Sequence, residues 1–407
     1  MRKIGVLDCN NFFVSCERTV NPSLEGCAVI VSSGNNGCAI SRSNEAKAIG
    51  IKMGQPLFQA KELIEKHNVT VCVANHKLYG EISRRIMETV AELVPETEVY
   101  SIDEVFLNFG GMEHLDLKEY GQKIIKTVRE KTGIPVSLGI AGTKTLAKLA
   151  NRLAKKYPAY KGVCIIETEE QRIKALELTG IRDVWGIGRK YDKKMQNLGV
   201  KTAYDFTLLS REVVRKMGTV ILERTWSELR GTSCIELETR HADQKSLATT
   251  RTFEQMTSDY KVLAEAISGY AASCARRLRR QNSCAVSLTV FIWTNRHRPD
   301  LPQYRNSAAI TLPVPTNSTI EIMKYAGEGL KKIFKEGFFY KQAGVVITEI
   351  VSAAGVQTDM FDTVDRNKQN RLMKTVDAIN EKYAGDKIVM GLHGIPKEPK
   401  KSKTKKE

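Results

Sequence analysis

Val99-Tyr100-Ser101-Ile102-Asp103-Glu104-Val105-Phe106-Leu107 (VYSIDEVFL) reads as a β-strand, because β-branched and aromatic residues fill it. Two adjacent carboxylates, Asp103 and Glu104, sit in its middle. Acids are disfavoured in strands, and burying one without compensation is costly. Neighbouring strand residues face opposite ways. One acid in solvent and the other paired with a Lys or Arg would therefore account for them. The alternative is a metal site at a strand turn, where a third carboxylate converges from elsewhere.

A third carboxylate is available. The alternation Ile4-Gly5-Val6-Leu7 predicts a short buried strand that ends in Asp8. Acids from two strands of one sheet would repel strongly at short range, so such a cluster needs cations. Two Mg²⁺ ions would neutralise it, activate an attacking oxygen and stabilise a leaving one.

The elements around these strands alternate. Ala28 to Val31 reads as a strand, and Glu45 to Ala48 as a helix that Gly54 and Pro56 bring to an end. Leu78, Ile82, Ile86 and Val90 share one face of a helix over 77–93. Tyr120, Ile124 and Val128 do the same over 116–131, and Pro135 to Ile140 reads as a strand. Residues up to about 165 thus predict an α+β domain around one sheet. Short helices without strands follow over 168–231, then a polar stretch over 232–245. A second α+β pattern runs from 246 to 351, with strands at Val286 to Thr294 and Ala343 to Val351. The end, PKEPKKSKTKKE, reads as a disordered basic tail.

Composition narrows the function. The 407 residues carry 63 Lys and Arg against 46 Asp and Glu, a formal charge of +17. That excess favours a polyanionic partner. No apolar run approaches the roughly 18 residues of a spanning helix, and MRKIGVLDCNNF is no signal peptide, so a membrane is the weaker choice. Nine cysteines without a C-x-x-C pair, and six histidines without zinc spacing, suggest reduced thiols in a cytosolic protein.

Three further stretches bear on anion binding. Thr143 to Lys156 (TKTLAKLANRLAKK) predicts an amphipathic helix with Leu146, Leu149, Ala150 and Leu153 buried. Lys144, Lys148, Arg152 and Lys155 or Lys156 line another face, either a solvated basic face or a phosphate-contacting stripe. The glycines before it lack P-loop spacing. Ile181 to Lys190 (IRDVWGIGRK) looks like a helix-hairpin-helix. Gly186 and Gly188 would bring backbone N–H groups to a phosphate, with Arg189 and Lys190 alongside; an ordinary helix turn is the plainer reading. Arg276, Arg277, Arg279 and Arg280 end a predicted helix, as caps or as a phosphate-contacting edge.

Together these stretches resemble the Y-family translesion DNA polymerases, most closely those of the UmuC type, the catalytic subunits of bacterial DNA polymerase V. The resemblance is carried by DCNNFFVSCE (8–17), GCAISRSNEAKAIGIKMGQP (37–56), YSIDEVF (100–106), GIAGTKTLAKLANRLAKK (139–156), DVWGIGRK (183–190) and LERTWSELRG (222–231). DinB-type members share only the more general of these motifs and are the alternative.

The resemblance implies a multidomain right-hand polymerase of α+β class. Palm would span 1–10 and 75–167, small fingers 11–74, helical thumb 168–231 and a linker 232–242. An α+β little finger would span 243–351 and a C-terminal tail 352–407. It implies that Asp8, Asp103 and Glu104, with the backbone carbonyl of Cys9, hold two Mg²⁺ ions. The primer 3′-hydroxyl would then attack the α-phosphate of a dNTP. Phe13 stands where the family keeps a steric gate against the ribose 2′-hydroxyl. The family's triphosphate contacts map onto Lys47 and Lys155, whereas a Tyr frequent in DinB-like members is Asn44 here. The expected partners are primer–template DNA, dNTPs, a UmuD-type cleaved dimer and a RecA filament, in a bacterial, nucleoid-associated cytoplasmic setting.

Gln357, Met360 and Phe361 resemble the Q-x-x-[L/M]-F peptide that docks on the bacterial sliding clamp, with Thr358 where stronger versions have Leu. Packing of Met360 and Phe361 on the little finger is the competing account. Two other classes use parts of the pattern. A two-metal nuclease also clusters carboxylates but attacks with water. A silent DNA-binding scaffold would have dispensed with the acids.

Overall fold

The computed structural model describes residues 3–34, 37–112, 114–238, 243–357, 362, 364–383 and 387–391. The chain divides into two compact units, 1–241 and 242–407.

The first unit begins with β1 (Ile4–Cys9) and α1 (Phe12–Val20). A small group of elements follows: β2 (Val29–Ser32), β3 (Ala39–Arg42), α2 (Asn44–Ala48), α3 (Leu57–Lys66) and β4 (Thr70–Val73). They form a three-stranded sheet, β3-β2-β4, over its own core of Ile30, Ala39, Ala46, Ile51 and Val69. Then come α4 (His76–Ala91), β5 (Glu96–Val99), β6 (Glu104–Asn108), α5 (Leu117–Thr132), β7 (Val136–Ala141), α6 (Lys144–Lys156) and β8 (Val163–Ile165). The strands assemble as β5-β6-β1-β7-β8, antiparallel except for β7–β8.

The alternation of β1 and β6 sorts their side chains onto two layers. Ile4, Val6 and Phe106 join a core with α6, while Leu7, Cys9, Val105 and Leu107 join one with α1, α4 and α5. Period-two geometry therefore puts Asp8 and Glu104 on the α6 side. Gly139 lets α6 lie directly on β7, because a Cβ there would sit 2.0 Å from the Asn151 nitrogen. The Asn151 amide donates to the carbonyls of Val6 and Ser137 at 3.0 and 2.7 Å, fixing helix to sheet.

The VYSIDEVFL stretch is not one strand. It is a hairpin in which β5 ends at Val99, residues 100–103 turn, and β6 starts at Glu104. Ser101 makes the turn. Its hydroxyl accepts from the Asp103 and Glu104 N–H groups and donates to Asp103 Oδ1 at 2.6 Å. An ST-type turn of this kind competes with the ladder, and strand propensity alone did not reveal it.

Short helices follow, as expected: α7 (Glu169–Glu177), α8 (Arg189–Gln196), α9 (Ala203–Leu208), α10 (Arg211–Met217) and α11 (Val220–Leu229). The polar stretch after them is anchored rather than free over its first part. The N–H groups of Cys234 and Ile235 donate to Glu228, and that of Glu238 donates to Glu98.

The second unit contains β9 (Leu247–Thr257), α12 (Tyr260–Arg280), β10 (Ser283–Thr294), β11 (Arg305–Thr316), α13 (Thr319–Ile333) and β12 (Tyr340–Ser352). Its sheet runs β11-β10-β12-β9, and α12 and α13 pack on it through Leu263, Ile267, Ile322 and Leu330. The presumed tail holds a further helix, α14 (Arg366–Lys382). Its buried Met373, with Asp377 on Arg279 and Arg366 on Glu321, docks it on the unit. Met360 and Phe361 of the clamp-like peptide lie outside the described residues, whereas Gln357 is described and exposed.

Candidate active site

Asp8 and Glu104 are register partners on adjacent strands. Cross-strand partners on one face stand about 5 Å apart at Cβ, a repulsive spacing for two carboxylates. Lysines of α6 stand against them. The Lys155 ammonium pairs with Asp8, and that of Lys148 donates to both Glu104 oxygens at 2.9 and 2.8 Å. Lys144 pairs with Glu98 and Arg152 with Asp183. The basic stripe on α6 is thus set against carboxylates. Each of these four cations faces an acid.

The site is electrostatically tense. Burial pushes the Asp8 carboxyl up to about 7, against the opposing pull of Lys155, and the nearby Glu104 adds to the rise. Lys148 is also ringed by aromatics, with its nitrogen 4.4 Å from the Tyr100 ring centre, 5.2 Å from Trp185 and 5.6 Å from Phe106. The Trp185 indole N–H donates to the Tyr100 hydroxyl at 3.2 Å. A cleft of about 270 Å³ is lined by Asp8, Glu104, Lys148, Arg152, Lys155, Asp183 and Trp185.

Asp103 sits one residue before β6 and is attached to the end of β1. The Cys9 N–H donates to the Asp103 carbonyl at 2.9 Å, while the Asp103 side chain is held by Ser101. Among the described residues, no three acidic, His or Cys side chains converge as a metal-binding group. The donors still suit a hard divalent cation. They are all oxygen, and the positions facing Asp8 and Glu104 are filled by ammonium groups, which a metal ion would replace.

Phe13 stacks on Tyr79 with ring centres 4.6 Å apart and meets His76 edge-on. The Tyr79 hydroxyl donates to Glu17, which locks the platform. Lys47 donates to Asn11 Oδ1 at 2.5 Å and to Asn44 Oδ1 at 3.2 Å. Asn11 adopts a left-handed conformation, φ +50°, at the start of α1. Lys47 and Lys155 share the lining of a second cleft of about 910 Å³.

The Gly186–Gly188 hairpin lies between a 3-10 turn at Ile181–Asp183 and α8. Gly186 has φ +86°, a conformation that favours glycine. Val184 and Ile187 are buried, leaving Arg189 and Lys190 exposed. The arginines ending α12 are not equivalent. Arg279 donates twice to Asp377 and also to the Asn317 carbonyl and Thr319, so it holds α14 and α13 rather than a free edge. Arg277 donates to the Ala248 carbonyl and to Gln244. Arg276 also has partners within the protein, and Arg280 is exposed.

Sequence reading missed the partners that shape this site: Tyr79, Ser101, Glu98, Trp185 and Glu228. The one available signal was Lys148 and Lys155, seven residues apart on a predicted helix, opposite two acids on predicted strands.

The profile described as the impB/mucB/samB family matches residues 7–152, and that of its C-terminal domain matches 244–360. Protein UmuC of Salmonella typhimurium is 39% identical over 93% of this chain and 90% of its own length. DNA polymerase IV of Desulfatibacillum aliphaticivorans is 26% identical over 94% of each chain. The solved structure of a Y-family DNA polymerase chimera of Dbh and Dpo4 has the same fold. It is 21% identical and matches with a TM-score of 0.68 over 86% of this chain and 99% of its own. The chain belongs to the impB/mucB/samB family and is a DNA-directed DNA polymerase of the Y-family, UmuC type, which carries out translesion synthesis.

Proposed function

We propose that the cleft between β1, β6 and α6 is the nucleotidyl-transfer site, with Asp8, Asp103, Glu104 and the Cys9 carbonyl as ligands of two Mg²⁺ ions. Members of this family depend on divalent metal. The observation that carries the assignment is the Asp8–Glu104 pair, placed side by side with lysine ammonium groups against both carboxylates. Bound there, the ions would supply charge neutralisation for the attacking 3′-oxygen and the departing pyrophosphate.

The chain's own residues do the rest by positioning. Lys155, released from Asp8, is within the same cleft to take a triphosphate oxygen, and Lys47 lines the adjoining wall. Phe13, braced by Tyr79, would exclude a ribose 2′-hydroxyl. Gly186, Gly188, Arg189 and Lys190 would take a DNA backbone phosphate, and Arg280 would offer a second contact, with Arg276 and Arg277 beside it. Arg279 is withdrawn from that set because Asp377 occupies it.

In domain terms we assign palm to 1–10 and 75–167, fingers to 11–74, thumb to 168–231 and little finger to 243–351. The substrates of a DNA polymerase are primer–template DNA and dNTPs. We add a sliding clamp held through Gln357, Met360 and Phe361, and a UmuD-type dimer with a RecA filament. Among the described residues no helix is long and apolar enough to cross a membrane. A cytoplasmic, nucleoid-associated setting accords with the reading.

Primer extension on an undamaged and an abasic template, with Mg²⁺ and dNTPs, is the test. Extension opposite and past the abasic position is expected. Shortening of the primer without dNTP incorporation would make the site a nuclease. DNA binding without either would make the chain a scaffold.

A further inference from the structure

We propose that the outer wall of the larger cleft, formed by Lys123, Lys126 and Arg129 of α5 with Lys161, is an exit site for inorganic pyrophosphate. The proposal rests on the polymerase reading, since each nucleotidyl transfer forms one 3′-O–Pα bond and breaks the bond from Pα to the β-phosphate oxygen. One pyrophosphate per nucleotide must therefore leave.

The cleft encloses about 910 Å³ and is lined by Lys47, Lys123, Lys126, Arg129, Lys155 and Lys161, with no acidic residue. Lys155 also lines the smaller cleft that holds Asp8 and Glu104, so the two spaces meet at that side chain. A phosphoryl group starting beside Lys155 thus has a cation-lined way out. Lys47 and Lys155 account for the end nearest the carboxylates.

A solvated helix face is the plainer explanation for the exposed Lys123, Lys126 and Arg129; what it leaves out is the lining free of acids that they share with Lys47 and Lys155. Lys126 has an exposed acidic neighbour, Glu130, only at 3.8 Å, on the following turn. Lys123 leans on the Tyr120 ring, 5.8 Å away. Inside the cleft, burial and the nearby Arg42 and Lys155 depress the Lys47 ammonium below its ordinary range. Lys155 pairs with Asp8 and Lys126 with Glu130, while Lys47, Lys123, Arg129 and Lys161 have no ion pair among the described residues, an excess of positive charge that a polyanion with oxygens at both ends would relieve.

The test uses the full chain with Lys123→Gln, Lys126→Gln and Arg129→Gln combined. All three sites are exposed on α5, and Gln keeps helix propensity. The probe is inorganic pyrophosphate, read as inhibition of primer extension and as direct calorimetric binding to the protein without DNA. The expected result is an inhibition constant about tenfold higher in the triple variant, with primer–template affinity changed less than twofold. A control that preserves charge, Lys123→Arg with Lys126→Arg and Arg129→Lys, should keep the wild-type constant. An unchanged inhibition constant overturns the proposal, as does absence of calorimetric binding to the wild-type protein. A parallel loss of primer–template affinity also overturns it, because the wall would then be a nucleic-acid contact. Failure of the polymerase reading shows separately, as no dNTP incorporation by the wild-type chain.

Discussion

Glu228 and the Asp8–Glu104 pair are carboxylates withdrawn from water in the same unit, yet they are satisfied by opposite means. Glu228 is fully buried and accepts from four neutral donors: the Thr145 N–H and hydroxyl, and the N–H groups of Cys234 and Ile235, all at 2.9–3.0 Å. It fastens the end of α11 and the start of the linker to the first turn of α6. Asp8 and Glu104 have few fixed dipoles and are balanced by the mobile ammonium groups of Lys155 and Lys148. A carboxylate enclosed by backbone donors cannot take a metal ion without unmaking the fold. One balanced by a lysine can exchange that lysine for another cation. The first arrangement builds the frame and the second leaves a site open for chemistry.

The sharpest way to break this contrast is to remove one acid of the proposed metal site and one of the frame. Asp103→Ala should lower nucleotide incorporation about a thousandfold or more, the scale of losing a principal electrostatic stabiliser. Its thermal stability should stay near wild type, and its primer–template affinity within a few-fold. Single-turnover extension beside a filter-binding titration measures both, and substantial residual incorporation removes Asp103 from the metal ligands.

Glu228→Ala should do the reverse. It strands four buried donors, at a cost of about 3 kcal/mol or more. The thermal midpoint should fall by roughly 10 °C. A shift of only a degree or two would mean that water or a local rearrangement replaces the carboxylate, and the contrast would lose its structural half.

Phe13→Val tests whether the aromatic next to the site belongs with the chemistry. Preference for dNTP over rNTP should drop about tenfold to a hundredfold, measured by single-nucleotide insertion. An unchanged ratio places the sugar gate elsewhere.

The smallest effect concerns pH. The Asp8 carboxyl is raised from 3.8 to about 7. The folded protein therefore keeps a proton that the unfolded chain gives up between those values, and stability falls as pH rises through that window. In metal-free buffer Asp8→Asn should gain on wild type as pH rises from 4 to 7. Calorimetric melts at several pH values test this, and a gap that stays constant with pH contradicts the raised carboxyl.

Much of the frame was legible because it rests on short periodicities. The helices over 76–91 and 117–132 follow from apolar spacing, and the face shared by Asp8 and Glu104 follows from strand alternation. The acids themselves stood out because charge is costly in a strand. What stayed hidden depends on contacts distant in sequence. Nothing near Glu228 announces Thr145, 83 residues away. The acid facing each cation of α6 is set by how the helix lies on the sheet, and Gly139 fixes that only in the folded chain. The turn at Ser101 was obscured by residues of high strand propensity. Helix α14 was missed because it buries little beyond Met373 and Asn380, and is held mainly by ion pairs at its polar positions.

The central claim is that Lys155 and Lys148 occupy positions a divalent cation takes. Mn²⁺ binding, followed by electron paramagnetic resonance with primer–template and a non-hydrolysable dNTP present, tests it most directly. Wild type should bind two ions, and Asp8→Asn combined with Glu104→Gln should bind neither tightly while still retaining DNA. Two tightly bound ions in that double variant would contradict the account.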